Sequence, residues 1–335
     1  MQTRSIGDLA QSLTMQHRSA RLRESIDTLS NELATGQTSD PFQRLGGDYT
    51  RLTNIDRTLR LIDGYVLAAA EARGFADASQ LNIGRIHERV DDVKALYLNL
   101  SNTPLASAIG AIASESSNAL DDIVGRLNAE SAGRAMFAGS ATGNAAVVPA
   151  QQILDAVQAV AVTATTAADA RAAVDSWLAD PAGFASQVYL GGANDLEAFQ
   201  VSESDRIDVA IRADDPAIRA AIGTVALTTL AAQGRLALPG EEVSTLIQGS
   251  GTSLAGSIEQ LVDVRAGIGG AQERFEQIQT RHQSERASLE FTRSALLEAD
   301  PFETATKLER AQFQLESLYA VTVRMSQLNL VGFLR

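Results

Sequence analysis

LVDVRAGIGGAQERFEQIQTRHQSERASLEFTRSAL, residues 261–296, is the stretch from which the fold can be read. Stepping alternately by three and four from Leu261 reaches Val264, Ile268, Ala271, Phe275, Ile278, His282, Glu285, Leu289, Thr292 and Leu296. Seven of these eleven positions are large and apolar. A 3-4 repeat keeps one stripe on one side of a helix, which is the pattern of coiled-coil packing. His282, Glu285 and Thr292 dilute it into a seam with polar layers.

Asp300-Pro301-Phe302-Glu303 follows. Asp suits an N-cap, Pro the first helical position, and Glu three residues on completes a capping-box signature. One helix is expected to end near Ala299 and another to start at once. The second carries Leu308, Ala311, Leu315, Leu318, Val321, Met325 and Leu328 on one face. Each large apolar group there is worth roughly 1.5–3 kcal/mol only when fully buried, so this helix needs a partner.

The N-terminal end poses the same demand. Leu22, Ile26, Leu29 and Leu33 form a heptad patch, and Ile6, Leu9 and Leu13 form a second one out of phase with it. A stutter or joint is expected near His17, and Gly36 suits a left-handed helix end. A long helix from about Asp48 to Asn102 carries Leu52, Ile55, Leu59, Ile62 and Val66, then Ile86, Val90, Val93, Tyr97 and Leu100. Gly64, Gly74 and Gly84 weaken its continuity. Ser101-Asn102-Thr103-Pro104 breaks it, and a helix of about Leu105 to Arg134 follows with Ile109, Ile112, Leu120, Ile123 and Leu127 near one face.

The heptads stop between about 138 and 251. Ile153–Leu178 is Ala-rich and reads as helix; Val188–Leu190 and Leu196–Val201 read as strands. Arg206–Arg212 alternates Ile207, Val209 and Ile211, the clearest strand pattern in the chain. Asp215-Pro216 then opens a helix of about 217–233. The fold class is therefore mainly α: long antiparallel coiled-coil or bundle arms from both termini, with a small α+β insertion. The divisions are 1–40, an N-terminal assembly helix; 41–137, the N-terminal part of a helical rod; 138–250, the insertion; 251–299, the C-terminal part of the rod; and 300–335, a C-terminal assembly helix. Asp-Pro occurs at 40, 180, 215 and 300, and a helix start accounts for each.

Length, 335 residues, allows two or three domains, and 45% apolar with 21% charged residues indicates a folded chain. A net charge of −13 disfavours nucleic acid and anionic membranes as partners. With no cysteine there is neither a disulfide framework nor thiolate chemistry. MQTRSIGDLAQSL shows no apolar signal region. The longest uncharged apolar-rich run, Ala156–Ala168, falls short of the ~20 residues a membrane span needs.

No catalytic, cofactor or metal constellation is visible. His17, His87 and His282 are far apart, and His282 is a polar layer of the seam. Gly267-Ile268-Gly269-Gly270 lies in a helical run, not after a strand. Asp91-Asp92 and Asp121-Asp122 are solvated helix faces, since adjacent helical residues diverge. Asn99-Leu100-Ser101 fits a glycosylation acceptor but has no secretory signal beside it. Trp177, the only Trp, and the Ala-rich segment 156–173 read as packing inside the insertion.

Both terminal stripes can close on each other within one chain, or stay open and close between subunits. The stripes leave both options, and also leave a soluble coiled-coil scaffold or signalling protein. Several segments then carry a resemblance. Leu33-Ala34-Thr35-Gly36 followed by Ser39-Asp40-Pro41 resembles the "LSTG…DDP" segment of the flagellin superfamily, with Ala for Ser and one Asp before the Pro. Gly133-Arg134-Ala135-Met136-Phe137-Ala138-Gly139-Ser140 is similar to its "G-x-Y-hydrophobic-F-A-G-T" segment, and Arg265–Arg274 to its "R-x-x-hydrophobic-G-x-x-Q-x-R" helix. Glu298-Ala299-Asp300 matches "E-x-AD". Ala311-Gln312 through Ser326-Gln327-Leu328-Asn329-Leu330 to Phe333-Leu334 resembles the family's C-terminus.

The resemblance implies a non-enzymatic subunit of the bacterial flagellum, exported through the flagellar type III apparatus without signal cleavage and placed outside the cell. It implies an export chaperone on the C-terminal segment and terminal helices that order into a coiled-coil tube on assembly. The implied partners are further copies in a ring, hook-side junction subunits and flagellin. Within the superfamily, the Phe137-Ala138-Gly139 segment, the length and the ending favour the branch that joins hook to filament; filament flagellin is the alternative. The assembly and chaperone interface expected from the stripes is Ile6, Leu9, Leu13, Leu308, Leu315, Leu318, Met325 and Leu328.

Overall fold

A computed structural model describes the backbone at residues 2–99, 105–209 and 211–333, and side chains at 10–99, 106–209 and 211–325. The elements run α1 (Gln2–Thr35), α2 (Pro41–Arg44), α3 (Thr50–Asn99), α4 (Leu105–Leu127), β1 (Glu130–Ser131), β2 (Arg134–Ala135), α5 (Ala150–Ala161), α6 (Ala167–Ala179), α7 (Phe184–Gln187), β3 (Phe199–Gln200), β4 (Arg206–Ile207), α8 (Pro216–Ala232), α9 (Gly240–Leu297) and α10 (Pro301–Phe333). The fold is mainly α, as the heptads indicated. The chain divides into two compact units, one of residues 1–62 with 283–335 and one of 63–282. The proposed acceptor Asn99-Leu100-Ser101 and the break at Ser101–Pro104 extend outside the described residues.

The 63–282 unit is organised around α8. Asp215 caps it, its carboxylate accepting the Ala217 N–H at 2.9 Å, and Pro216 takes the first position. Fourteen of its seventeen residues are buried, so it is covered on all sides, as a central helix must be. It packs on α4, α5 and α6. The polar groups it buries are satisfied along the helix: Thr224, Thr228 and Thr229 each donate to the carbonyl four residues back, at 2.7–2.9 Å. Tyr97 on α3 is fully buried beside Ser116 of α4, with 2.7 Å between their hydroxyl oxygens, and burial pushes its phenol up to about 12.

In the same unit α3 and α9 run antiparallel. Moving up α3 moves down α9: Tyr65 stacks on His282, Asp77 accepts from Gln272, the His87 ring meets Arg265, and Leu98 meets Gly251. The seam read from sequence is real here. Leu261, Ile268, Ala271, Phe275, Ile278 and His282 are all buried. Gly64, Gly74 and Gly84 do not interrupt α3; packing outweighs a propensity cost of about 1 kcal/mol per glycine.

The insertion departs from expectation in detail. Ile153–Leu178 is two helices, α5 and α6, with a turn between them. Arg206–Arg212 is not a full strand: only Arg206 and Ile207 pair, with Gln200 and Phe199. Ile207 and Val209 are buried and Ile211 is half-buried against the core, so the alternation reports burial without a ladder. Val188–Leu190 pairs with Ala146–Val148 through a bridge at Tyr189 and Val147. Asp180 does not start a helix. It closes α6, and its carboxylate accepts the Ala182 N–H at 2.9 Å in a local turn. Asp40, Asp215 and Asp300 do cap helices.

In the unit of residues 1–62 and 283–335, α1 packs against α10 and the start of α3 meets the end of α9, where Asp56 pairs with Arg293 at 2.7 Å. α1 is continuous from Gln2 to Thr35, so no joint occurs at His17.

Candidate assembly interface

Two short loops hold the arms together. After α1 the chain turns at Gly36, in the left-handed region (φ 70°), as a C-terminal glycine should. Its carbonyl accepts the Ala299 N–H at 2.9 Å, and the Thr38 N–H donates to the Leu297 carbonyl at 2.8 Å. Gln37 and Glu298 thus form an antiparallel bridge. The Leu33–Pro41 and Glu298–Asp300 segments, singled out in sequence as separate motifs, are two sides of one joint. Asp300 caps α10 through the N–H groups of Phe302 (2.9 Å) and Glu303 (3.1 Å). The capping box is only half made. Glu303 pairs instead with Lys307 one turn on, at 2.9 Å.

From that joint α1 and α10 run antiparallel. Arg23 donates to the Tyr319 hydroxyl at 3.0 and 2.5 Å and lies 5.8 Å from its ring centroid; Thr322 reaches Met15; Gln11 reaches Met325. Hydrogen bonds from Ser19 and then Arg23 lower the Tyr319 phenol below its ordinary value. On α1 Met15, Ser19, Leu22, Ile26 and Leu29 are half-buried along one 3-4 series, with Ser25, Thr28 and Glu32 half-buried beside it, while Leu33 at the next step is exposed. The phase seemed lost in sequence because Ser19 is polar; carrying the heptad back through it would have found Met15.

The predicted interface residues separate accordingly. Leu308, Leu315, Leu318 and Met325 are half-buried on the helix that faces α1, with Ala311 buried among them. Leu13 stands off the seam, 48% exposed. The side chains of Ile6, Leu9 and Leu328 lie outside the described residues. Terminal helices that order only on assembly were implied by the resemblance; here they pair within the chain, the closed option that the stripes allowed. That pairing is thin. Among the described α10 side chains only Thr304 and Ala311 are buried, because two helices alone cannot enclose a stripe. The α9 stripe shows the same change: buried at every position from Leu261 to His282 except half-buried Val264, then exposed at Glu285 and half-buried at Leu289, Thr292 and Leu296.

The phenylalanines draw the contrast most sharply. In the 63–282 unit Phe75, Phe137, Phe184 and Phe275 are buried and Phe199 packs half-buried on the core. In the arm unit Phe42, Phe291, Phe302 and Phe313 are all exposed, at 59–83%. Sequence stripes pointed to the seam and missed these, since they lie off it.

In the 63–282 unit the aromatic and titratable side chains serve packing. Trp177 is buried edge-on to Phe184, with its ring N–H toward Gln187 at 3.3 Å. His282 lies 2.8 Å from the Val201 carbonyl through Nε2. A shallow cavity of roughly 180 Å³ between α3 and α4 is lined by Arg85, Glu88, Arg89, Asp92, Asp122 and Arg126. Arg89 there is held by Glu115 (2.5 Å) and Asp122 (3.1 Å), so acid and base compensate each other. Among the described residues no three His, Cys, Asp or Glu converge as a metal set, and no helix is long and apolar enough to cross a membrane.

Residues 252–334 match the family model described as the bacterial flagellin C-terminal helical region. That match is to the C-terminal arm of the chain, about a quarter of its length. A solved structure of a candidate flagellar hook-associated protein from Vibrio parahaemolyticus shares the fold with a TM-score of 0.52, at 14% identity, over 73% of this chain and 95% of that one. No curated protein matches the chain. The matched region takes in most of α9 and all of α10, and so contains the C-terminal half of the joint and of the α1–α10 seam.

Proposed function

We propose that this chain is a flagellin-superfamily structural subunit of the flagellum outside the cell, set between hook and filament, and that it assembles through α1 and α10. The observation that carries the reading is that the large apolar side chains of the arm stripes, Leu289, Leu296, Leu308, Leu315, Leu318 and Met325, are only half-buried and Val321 is exposed, whereas Leu261, Ile268, Phe275 and Ile278 of the larger unit are buried. Apolar stripes left half-covered in the monomer are completed by neighbours. The neighbours are further copies, a hook-side junction subunit and flagellin. Before assembly the C-terminal stripe, Leu308, Leu315, Leu318, Met325 and Leu328, is the segment an export chaperone would cover. Ile6, Leu9 and Leu13 extend the N-terminal contribution. The role is structural, not catalytic.

The division into 1–40, 41–137, 138–250, 251–299 and 300–335 goes with this reading: outer pairs for assembly, inner pairs for the rod, the insertion between them. Deleting residues 302–335 is the test. The remainder should keep the helicity and melting of the 63–282 unit while losing self-association. Global unfolding of the truncated chain would assign those residues to the monomer core and end the proposal. Tagged chain in a flagellated cell should label one short zone between hook and filament; label along the filament selects filament flagellin instead.

A further inference from the structure

All the sulfur of this chain is in thioethers: it has no cysteine and four methionines, Met1, Met15, Met136 and Met325. The Met1 side chain lies outside the described residues. Met136 is buried in the insertion, 4% exposed. Met15 and Met325 are half-buried on the α1–α10 seam, one on each helix. They occupy adjoining layers of it: the Met15 sulfur lies 3.5 Å from the Thr322 hydroxyl, and the Met325 sulfur 3.7 Å from the Gln11 amide. In the same turns Leu13, Val321 and Val323 are 47–56% exposed, so solvent and small solutes reach both layers.

A thioether is oxidised through a sulfur lone pair. With hydrogen peroxide, that pair attacks one peroxide oxygen. An S–O bond forms, the O–O bond breaks, and the departing oxygen leaves as water with both peroxide protons. Sulfur gives up two electrons and the peroxide takes them. The product, methionine sulfoxide, is polar and chiral, and a sulfoxide reductase restores the thioether.

What the seam offers the new oxygen decides the effect. The Thr322 hydroxyl has one proton, and it already donates to the Leu318 carbonyl at 2.7 Å. A sulfoxide on Met15 competes with that bond. Gln11 is exposed, so a sulfoxide on Met325 that takes its N–H is drawn to the edge of the seam. Neither bond replaces the apolar contact that is lost. With only Thr304 and Ala311 buried among the described α10 side chains, the pairing has no deeper layer to rely on.

We propose that Met15 and Met325 form a paired oxidation site for small peroxides, and that their conversion to sulfoxide loosens the pairing of α1 with α10 while the 63–282 unit stays folded. Loosening is a property of the isolated chain, so it stands or falls apart from assembly.

The full chain, treated with hydrogen peroxide, is mapped by peptide mass spectrometry and followed by amide hydrogen exchange. Met15 and Met325 should each gain one oxygen at least tenfold faster than Met136. Exchange at 10–33 and 304–325 should then rise at least fivefold, exchange in α8 should stay unchanged, and sulfoxide reductase with a thiol reductant should return the arms to their starting rate. Met15→Leu/Met325→Leu conserves apolar volume and should make the arms indifferent to peroxide. If that pair loses arm helicity by itself, the two single leucine variants carry the test, each losing one modification and part of the response. Met15→Gln/Met325→Gln should exchange fast without any oxidant. Four results overturn the proposal: Met136 oxidised as fast as the seam sulfurs, oxidised arms that exchange at the starting rate, an equal response in the leucine variants, or arms without protection before oxidation. Assembly has its separate test in the 302–335 deletion, which none of these four results prejudges.

Discussion

Gly139 shows how a single residue fixes the insertion. It follows buried Met136, Phe137 and Ala138 in a segment with hydrogen bonds on several sides. Ala213 donates to the Phe137 carbonyl, Gly192 to that of Ala138, and Ser140 to that of Asn194, each at 2.9 Å. Gly139 sits at φ 57°, and a Cβ there would lie 2.5 Å from the Asn194 carbonyl oxygen and 3.1 Å from Arg212. Left-handed backbone and close approach both require glycine. Gly139→Ala should therefore cost about 1–3 kcal/mol, read as a lower denaturant midpoint with the terminal arms unaffected. The hairpin just before it uses the same device: Ala132 (φ 51°) and Gly133 (φ 73°) make the two-residue turn between β1 and β2. The Phe137-Ala138-Gly139 segment thus serves packing in the insertion. In sequence it could be seen as a break in composition, but its partners at 192, 194 and 213 could not, because no local period encodes contacts so far along the chain.

At the scale of elements, the heptads carried most of the information. The α9 seam, the α3 stripes and the cap of α8 were legible because burial on one face imposes a period that side chains alone display. The α1 phase was not, since Ser19 occupies a seam position without an apolar group. Arg206–Arg212 misled for the converse reason: alternation follows burial, and Val209 is buried and Ile211 half-buried beyond the short pairing that ends at Ile207. The expected capping box failed because Glu303 has a better partner in Lys307. α10 consequently depends on Asp300 alone for its first turn. Asp300→Ala should cost about 1 kcal/mol of that helix, measured as faster amide exchange at 302–306, while Glu303→Gln should leave exchange there little changed.

For the molecule as a whole, the two units differ in how they are stabilised. The 63–282 unit has a continuous core around α8, with α3 and α9 closing on it. The arm unit has a seam of half-buried side chains and surface ion pairs, which contribute about 0–1 kcal/mol each. Thermal unfolding should accordingly proceed in two steps. The arms melt first with loss of α1 and α10 helicity, and the larger unit melts later with the Trp177 fluorescence change. A single transition in which both signals coincide would show that the arms share the cooperativity of the core. Half of the candidate site was legible at this scale: the seam stripes could be read from the sequence, while the exposed phenylalanines off the seam emerge only once the units are known.

The joint that ties Gly36 and Thr38 to Ala299 and Leu297 has a consequence in time. Its two sides are separated by about 260 residues, so closing it carries an entropic cost of roughly 5 kcal/mol, estimated from the logarithmic dependence on loop length. At roughly 5–20 residues per second of synthesis, α10 emerges between about a quarter of a minute and a minute after α1. Throughout that interval the N-terminal helix has no intramolecular mate. A newly made chain therefore passes through a window in which whatever is to hold its ends apart can bind without first having to separate them.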